Sequence, residues 1–455
     1  MSRGEYPETG QSAVARIKFA TFALPALPLA IILFPAYAIL PSFYATHTRI
    51  PLTVIGTILL VSRLFDAVID PMIGYLSDNT RSRWGPRKPW LAAGTIASMI
   101  CVYPLYVPAA DAGPVYYATW FILFYLSFTL IEIPHKAWGT DLVRSYMERS
   151  EVSTYLGMSF ALGNLAFAVV PFYPAFAGHG YDSETLRAVA IMVIILLPLT
   201  VGCAMALVPQ GRVVARRQTT WRGLIRGVAS NRPFRHFLII FVLAGFGQGM
   251  FYGAVYLFVG SVLGLRLDFP LVLLADALCT FAAVPVWYRL IARFEKHRAW
   301  GIGMIGSALA VGAMALVSPG RGGLALLLVL VVARAATGAV IYVAPHALLG
   351  DVVDYDILRT RCNRAGNYHA LIALVTKANG AAGGGLALVL VGIFGFKAGA
   401  HNAPSALAGF KMVVLIVSSM VVGCSGIAAW LFPLDRRRHE VVRRRILARA
   451  DAQQT

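Results

Sequence analysis

Residues 63–90 read R-L-F-D-A-V-I-D-P-M-I-G-Y-L-S-D-N-T-R-S-R-W-G-P-R-K-P-W. Asp66 and Asp70 lie four residues apart in an apolar run, and Asp78 ends that run just before a cluster of Arg and Lys. A spacing of four places the first two acids on one face of a helix, one turn apart. An acid inside a membrane is costly unless its charge is compensated. The pair therefore predicts a functional site whose natural partner is a bound cation.

The composition places this run in a membrane protein. Of the 455 residues, 58% are hydrophobic and only 13% are charged, and the mean hydropathy is +0.69. Apolar runs of about 20 residues recur along the chain, and each is long enough to cross a hydrocarbon core. Runs as continuous as these are helices. The sequence predicts an all-α polytopic membrane protein with twelve transmembrane helices, spans 1 to 12, at about 19–44, 52–76, 90–109, 115–140, 153–177, 187–208, 235–263, 269–292, 300–317, 323–348, 369–396 and 408–432.

The net charge of +19 is concentrated in alternate loops. The positive-inside rule then places both termini in the cytoplasm. Contact of the basic segments with anionic lipid headgroups explains the charge better than nucleic acid does. The Arg- and Lys-rich segments are the loop after span 2 (Arg81, Arg83, Arg87, Lys88), the central segment, the loop after span 8 (Arg293, Lys296, Arg298) and the C-terminal tail.

The basic central segment divides the chain. We predict a six-helix bundle in residues 1–208, a cytoplasmic linker in 209–233, a second six-helix bundle in 234–433 and a basic cytoplasmic tail in 434–455. The linker contains W-R-G-L-I-R-G-V at 221–228, whose apolar and basic residues alternate as in a short surface helix. The chain has no G-x-S-x-G, P-loop or H-E-x-x-H motif. We therefore expect a protein that is not an enzyme, has no cofactor and draws its energy from an ion gradient.

Several motifs resemble a known transporter family. Residues 74–87 are similar to the major facilitator superfamily signature between spans 2 and 3. The pattern R-x-x-D-A-x-x-D-P-x-x-G and the T-R-S-R-W-G that follows it resemble the glycoside–pentoside–hexuronide:cation symporter family. The other matching motifs are Thr129-x-x-Glu132-Ile133-Pro134, Asn231-Arg232-Pro233-Phe234, and Asp351-Val352-Val353-Asp354-Tyr355 with the later Lys377. The resemblance implies two bundles with a midplane site between them, a monomer, and a bacterial inner membrane.

The resemblance also implies a cation site. Its ligands would be Asp66, Asp70, Glu132 and Thr129, with the three acids as the Na⁺ ligands. Hard monovalent cations favour oxygen ligands, so Na⁺ and H⁺ both remain candidates. In the alternative, Asp66 or Asp70 merely pairs with an Arg of a neighbouring helix. The resemblance further assigns latch or gating roles to Asp78 with Arg81, Arg83 and Arg87, and to Asp351 and Asp354.

The sugar contacts of the family's galactoside transporter are mostly missing. The position of its span 1 acid falls at about Leu29, that of its span 4 Trp at Lys136, and that of its span 5 Arg at Gly157. Of these contacts only Lys377 remains. The substrate is therefore another sugar or not a sugar.

Intramembrane polar residues indicate what replaces the lost contacts. We predict a substrate site from Lys136, Lys377, Arg334, Gln248 and Tyr252, and three cations favour an anionic substrate. In the alternative, Arg334 pairs with Asp276 and Lys136 pairs with Glu132.

The function predicted from these observations is cation-coupled symport, driven by Na⁺ or H⁺, of a small organic solute such as a sugar, glycoside or uronide. The alternative is a transporter of lysolipids or other anionic amphiphiles from the same superfamily. Symport rather than antiport rests on the family resemblance alone. The expected partners are the small-molecule substrate, the coupling cation and membrane lipids, without nucleic acid.

Overall fold

The structure, a computed structural model, has helices as its regular secondary structure in the part of the chain that it describes. Within that part there is no β-strand, and twelve helices are long and apolar enough to cross a membrane. They lie at the twelve predicted positions, which confirms the all-α membrane fold. The described residues are 9–143, 146–176, 178, 180–211, 231–360 and 365–451.

The first six spans are built from eight helices. Within the described residues, span 1 is the only one of these six that is divided among several α-helices. The helices are Thr9–Ala23, Ala26–Ala38 and Leu40–His47 (span 1), Leu52–Asn79 (span 2), Lys88–Tyr106 (span 3), Pro114–Leu142 (span 4), Tyr146–Val169 (span 5) and Ser183–Leu207 (span 6).

The last six spans are followed by one further helix, which we name the tail helix. Spans 7 and 12 contain short π-helical turns, Phe258–Val262 and Met412–Val417. The α-helices are Arg232–Leu257 (span 7), Phe269–Arg293 (span 8), Lys296–Ala313 (span 9), Leu324–Gly338 and Ala344–Thr360 (span 10), Ala365–Ile393 (span 11), Pro404–Lys411 and Ser418–Trp430 (span 12) and Arg436–Asp451 (tail helix).

Two spans differ in outline from the predicted runs. Span 1 is broken at Leu24–Pro25 and again at Ile39, because a proline lacks the N–H that continues a helix and restricts the residue before it. Span 10 continues to Thr360, beyond the predicted end at residue 348. Its last turns carry acidic residues that end the apolar run but not the helix. Hydropathy thus located both spans and missed their exact shape.

The described residues form two compact units. The first unit comprises the described parts of Met1–Phe43, Thr48–Ile50 and Leu64–Arg216. The second comprises those of Tyr44–His47, Pro51–Arg63 and Arg217–Thr455. The predicted domain boundaries stay predictions, and the predicted surface helix at 221–228 lies outside the described residues.

Small side chains bring helices close together in each unit. In the first unit a Cβ on Gly163 of span 5 would lie 2.3 Å from the carbonyl oxygen of Leu27, and Ser98 Oγ of span 3 donates to Ser127 Oγ of span 4 at 2.9 Å. In the second unit a Cβ on Gly383 of span 11 would lie 2.2 Å from the carbonyl oxygen of Phe246 in span 7. Such close backbone contact is how membrane helices gain packing energy without a hydrophobic driving force.

The first residue of the Asn231-Arg232-Pro233-Phe234 motif has a structural role in the second unit. Asn231 Oδ1 accepts from the backbone N–H of Phe234 at 3.0 Å and so caps the start of span 7. Its amide donates to the Val352 carbonyl at 3.3 Å and to the Tyr368 hydroxyl at 3.2 Å. One side chain therefore begins span 7 and ties it to spans 10 and 11.

We expect Gly383→Ala to lower the thermal unfolding temperature of the purified protein, because the new methyl group would overlap backbone atoms of span 7. Overpacking of this kind costs about 1–3 kcal/mol. The matched control is Gly380→Ala, one turn earlier in span 11, where a Cβ meets nothing within 4 Å. Equal melting temperatures for the two variants would contradict the proposed packing of spans 7 and 11.

Candidate cation and substrate sites

Spans 2 and 4 meet at two of the predicted cation ligands. Asp70 is half-buried in span 2, and Thr129 is fully buried in span 4. The Thr129 hydroxyl donates to Asp70 Oδ1 at 3.0 Å. Asp66, one turn earlier in span 2, is also buried. The structure thus joins the hydroxyl and one carboxylate that the family resemblance assigns to one site.

Glu132 lies one turn beyond Thr129 and is paired within its own helix. Lys136 Nζ lies 2.6 Å from Glu132 Oε1. The Glu132 side chain is 16% exposed, and that of Lys136 is 60% exposed. The predicted alternative of an internal Lys136–Glu132 pair is therefore what the structure contains.

The three acids are not gathered as one metal site. In the described ranges, no group of three or more His, Cys, Asp or Glu side chains is placed to hold a metal ion. The bond between Thr129 and Asp70 fits oxygen coordination of a small cation, whereas Glu132 already has an ammonium group beside it. The shared Na⁺ site of Asp66, Asp70 and Glu132 stays a prediction.

Arg87, in the basic loop after span 2, contacts the ends of spans 2 and 4. This buried guanidinium pairs with Asp78, donates to Ser77 Oγ at 3.0 Å and lies 3.4 Å from Asp141 Oδ2 at the end of span 4. The loop turns at Gly85, whose φ of +86° suits glycine. Of the predicted latch residues, Asp78 and Arg87 are brought together, whereas Arg81 and Arg83 are exposed to solvent.

The second predicted latch lies at the end of span 10. Lys296 Nζ lies 2.7 Å from Asp351 Oδ1. His439 of the tail helix has its Nε2 atom 2.9 Å from Asp354 Oδ2 and 3.5 Å from Asp351 Oδ1. Both acids therefore join span 10 to neighbouring elements of the second unit.

Arg334 sits in a buried ionic cluster of the second unit. Its guanidinium pairs with Asp276 of span 8, whose other carboxylate oxygen accepts from the Tyr252 hydroxyl at 3.2 Å. The guanidinium also lies 5.0 Å from the centre of the Tyr252 ring and 5.8 Å from that of Phe251, which are cation–π distances. Arg334 and Tyr252 are thus brought together, and the predicted alternative of an Arg334–Asp276 pair is present.

The other two predicted substrate residues of that unit lie elsewhere in it. Gln248 Nε2 is 3.9 Å from the sulfur of Met304. Lys377 is half-buried in span 11, two residues before Asn379, whose amide donates to the Phe241 carbonyl at 3.2 Å. The substrate role of all five residues stays a prediction.

Three contact residues were missed by sequence reasoning. They are Asp141, Lys296 and His439, which complete the two latch clusters. Asp141 is 54 positions from Arg87, so no periodicity within one helix connects them. The sequence signal available was only charge at the ends of spans, which does not specify the partner.

The fold and these clusters define the class of the protein. Twelve spans with charged pairs inside them, in a chain without the motifs of a catalytic site, are typical of a secondary transporter.

Comparison with known proteins identifies the family. The family model described as MFS/sugar transport protein matches residues 21–436. The chain belongs to this family of the major facilitator superfamily, and it is an integral membrane transporter rather than an enzyme.

Individual relatives agree with this assignment. The sodium-dependent lysophosphatidylcholine symporter 1-A of Danio rerio is 22% identical over 85% of this chain and 79% of its own. The glucuronide carrier protein homolog of Escherichia coli (strain K12) is 24% identical over 88% of this chain and 89% of its own. The crystal structure of the nucleoside transporter NupG shares the fold with a TM-score of 0.63 at 13% identity, covering 91% of this chain and 99% of that one.

We expect Arg87→Ala to destabilise the first unit, because Asp141 would remain buried after losing its guanidinium. Removing one partner of a buried ion pair costs about 3–5 kcal/mol. The measurement is thermal unfolding in detergent, with the exposed Arg83→Ala as the control, for which a change within about 0.5 kcal/mol is expected. A drop in melting temperature no larger for Arg87→Ala than for Arg83→Ala would contradict the structural role of this cluster.

Proposed function

We propose that this protein is a cation-coupled symporter of a small organic solute, which it carries across a bacterial inner membrane by alternating access. The coupling cation is Na⁺ or H⁺, and the solute is a sugar, a glycoside or a uronide. The observation that carries the proposal is the hydrogen bond from Thr129 to Asp70, which joins the two helices that carry the candidate cation ligands. Both termini lie in the cytoplasm in this proposal.

The chemistry at this contact supports cation binding. Asp66 and Asp70 are acids within an apolar span, and an intramembrane acid is a functional candidate by default. The Thr129 hydroxyl can donate to a carboxylate or turn its lone pairs to a cation, so the same three side chains suit both the empty and the loaded site. A relative named a sodium-dependent symporter makes Na⁺ the first ion to test.

The solute class has two candidates. The relative named a glucuronide carrier homolog supports a uronide. The relative named a lysophosphatidylcholine symporter supports the alternative, a lysolipid or another anionic amphiphile. The pairs Lys136–Glu132 and Arg334–Asp276 both contain a cation that an anionic group of either solute would attract.

Thermal unfolding of the purified protein in Na⁺, Li⁺, K⁺ and choline, across pH 5 to 9, tests the cation site. A ligand that binds only the folded state adds about 2.7 kcal/mol of stability at 100 times its Kd. We expect Na⁺ and Li⁺, or a change of pH, to raise the melting temperature of the wild type. Asp70→Asn should abolish that rise, and Thr129→Val should weaken it.

The matched control is Asp111→Asn, which removes an exposed acid outside the spans and should leave the cation response intact. If neither the ions nor pH stabilises the wild type, or if Asp70→Asn responds as the wild type does, the proposed cation site is wrong.

Uptake into proteoliposomes separates the two solute classes. With an inward Na⁺ or H⁺ gradient, we expect a labelled glucuronide to accumulate and unlabelled uronides to compete. Gradient-driven uptake of labelled lysophosphatidylcholine, without uptake of the glucuronide, would instead establish the lysolipid alternative. Equal uptake with and without the gradients would contradict cation-coupled transport.

A further inference from the structure

Spans 9 and 12 lie against each other in the second unit, and small residues bring their backbones close. A Cβ on Gly301 of span 9 would lie 2.8 Å from the carbonyl oxygen of Gly426 in span 12. Further along span 9, a Cβ on Gly312 would lie 3.3 Å from the hydroxyl of Ser419. Residues of increasing number on span 9 thus meet residues of decreasing number on span 12, and the two spans are antiparallel.

Each of these spans carries a stripe of exposed apolar side chains beside the contact. The stripes consist of Ile302 and Leu309 on span 9 and of Met420 and Ile427 on span 12. Ile302 and Ile427 each come one position after a contact glycine, which is about 100° further around the helix. Because the spans are antiparallel, the same step in sequence leads to the same side of their contact on both helices. The two stripes therefore form one apolar surface, which we name the 9/12 face.

A cation and an aromatic ring lie at one end of the 9/12 face. Arg298 comes one turn before Ile302 in span 9, and Trp430 comes three positions after Ile427 in span 12. The Arg298 guanidinium lies 5.6 Å from the centre of the Trp430 ring, which is a cation–π distance. Both side chains are exposed. Among the residues that the structure describes, no carboxylate lies within ion-pair distance of Arg298.

The tail helix adds positive charge at the same end. The backbone N–H of Arg436 donates to Glu295 Oε2 at 3.1 Å, and Glu295 is three positions before Arg298. The first turn of the tail helix carries three exposed arginines, Arg436–Arg438. Two of them pair with acids of the tail segment, whereas Arg437 has no ion pair within the described part of the chain. This end of the 9/12 face is therefore basic.

We propose that the 9/12 face binds an anionic phospholipid, with an acyl chain along the apolar stripes and the phosphate on Arg298. A guanidinium binds a phosphate through strong charge-assisted hydrogen bonds. Tryptophan is enriched where a membrane meets water, so the Trp430 ring suits the level of the headgroups. Basic pockets between transmembrane helices are known to hold anionic headgroups. The site is separate from the residues proposed to bind the solute and the cation, and it does not depend on them.

Charge favours a lipid over a second copy of the chain as the partner of this face. Copies in one membrane share their orientation, and a two-fold contact uses the same surface on both. Such a contact through the 9/12 face would place two Arg298 side chains and two basic tails at the same level. An anionic lipid neutralises that charge instead.

Native mass spectrometry of the full-length protein in detergent, which counts bound lipids, tests the site. The probes are dioleoylphosphatidylglycerol, which is anionic, and dioleoylphosphatidylcholine, which has the same chains and no net charge. We expect the wild type to bind one phosphatidylglycerol more tightly than any phosphatidylcholine. Arg298→Gln should weaken that binding about fivefold, the fold-change that corresponds to about 1 kcal/mol for an arginine at an anionic surface.

The matched control is Arg293→Gln, which removes an exposed arginine from the end of span 8, outside the 9/12 face. It should leave the tightest phosphatidylglycerol in place. Arg298→Lys keeps the charge and should keep most of the affinity. Equal weakening by Arg298→Gln and Arg293→Gln, or equal binding of the two lipids to the wild type, would overturn the site.

Two further results bear on the acyl chain and on the partner. Glycerophosphoglycerol has the same headgroup without chains, and inorganic phosphate has the same charge chemistry. We expect neither to displace the bound phosphatidylglycerol at equal concentration. Displacement by either would show a site for soluble phosphate and would contradict a role for the 9/12 face. Dimers of the wild type that bind no lipid would show that a second copy covers this face, which would also overturn the proposal.

Discussion

The cost of placing charge in hydrocarbon is the constraint on which this structure depends. A single charged side chain within a membrane span is unfavourable unless an opposite charge or water accompanies it. Lys136 accordingly lies on Glu132, Arg334 on Asp276, and Arg87 between Asp78 and Asp141. Two of these pairs also tie neighbouring elements together, at the loop after span 2 and between spans 8 and 10.

The pairs differ in what they hold together. Arg334 and Asp276 belong to different spans, and Tyr252 of a third span shares the carboxylate. Breaking that cluster would loosen three helices at once. Lys136 and Glu132 belong to one helix, so their contact joins no second span.

The sequence predicted the features that depend on short-range patterns. Apolar runs located twelve spans, and the spacing of Asp66 and Asp70 placed them on one helix face. The family resemblance assigned Thr129 and Asp70 to one site, and in the structure their side chains are hydrogen-bonded. The breaks of span 1 follow from Pro25 and Pro41, which a hydropathy pattern does not register. The contacts of Arg87 with Asp141 and of Asp354 with His439 were beyond prediction, because tertiary packing brings these residues together.

The internal ion pair also explains how span 4 tolerates a lysine at the position that the family resemblance aligns with a sugar contact. A lysine stands where the galactoside transporter has a tryptophan, so a stacking surface is replaced by a charge. That charge would be expensive if it were unpartnered, and the acid one turn away supplies the partner.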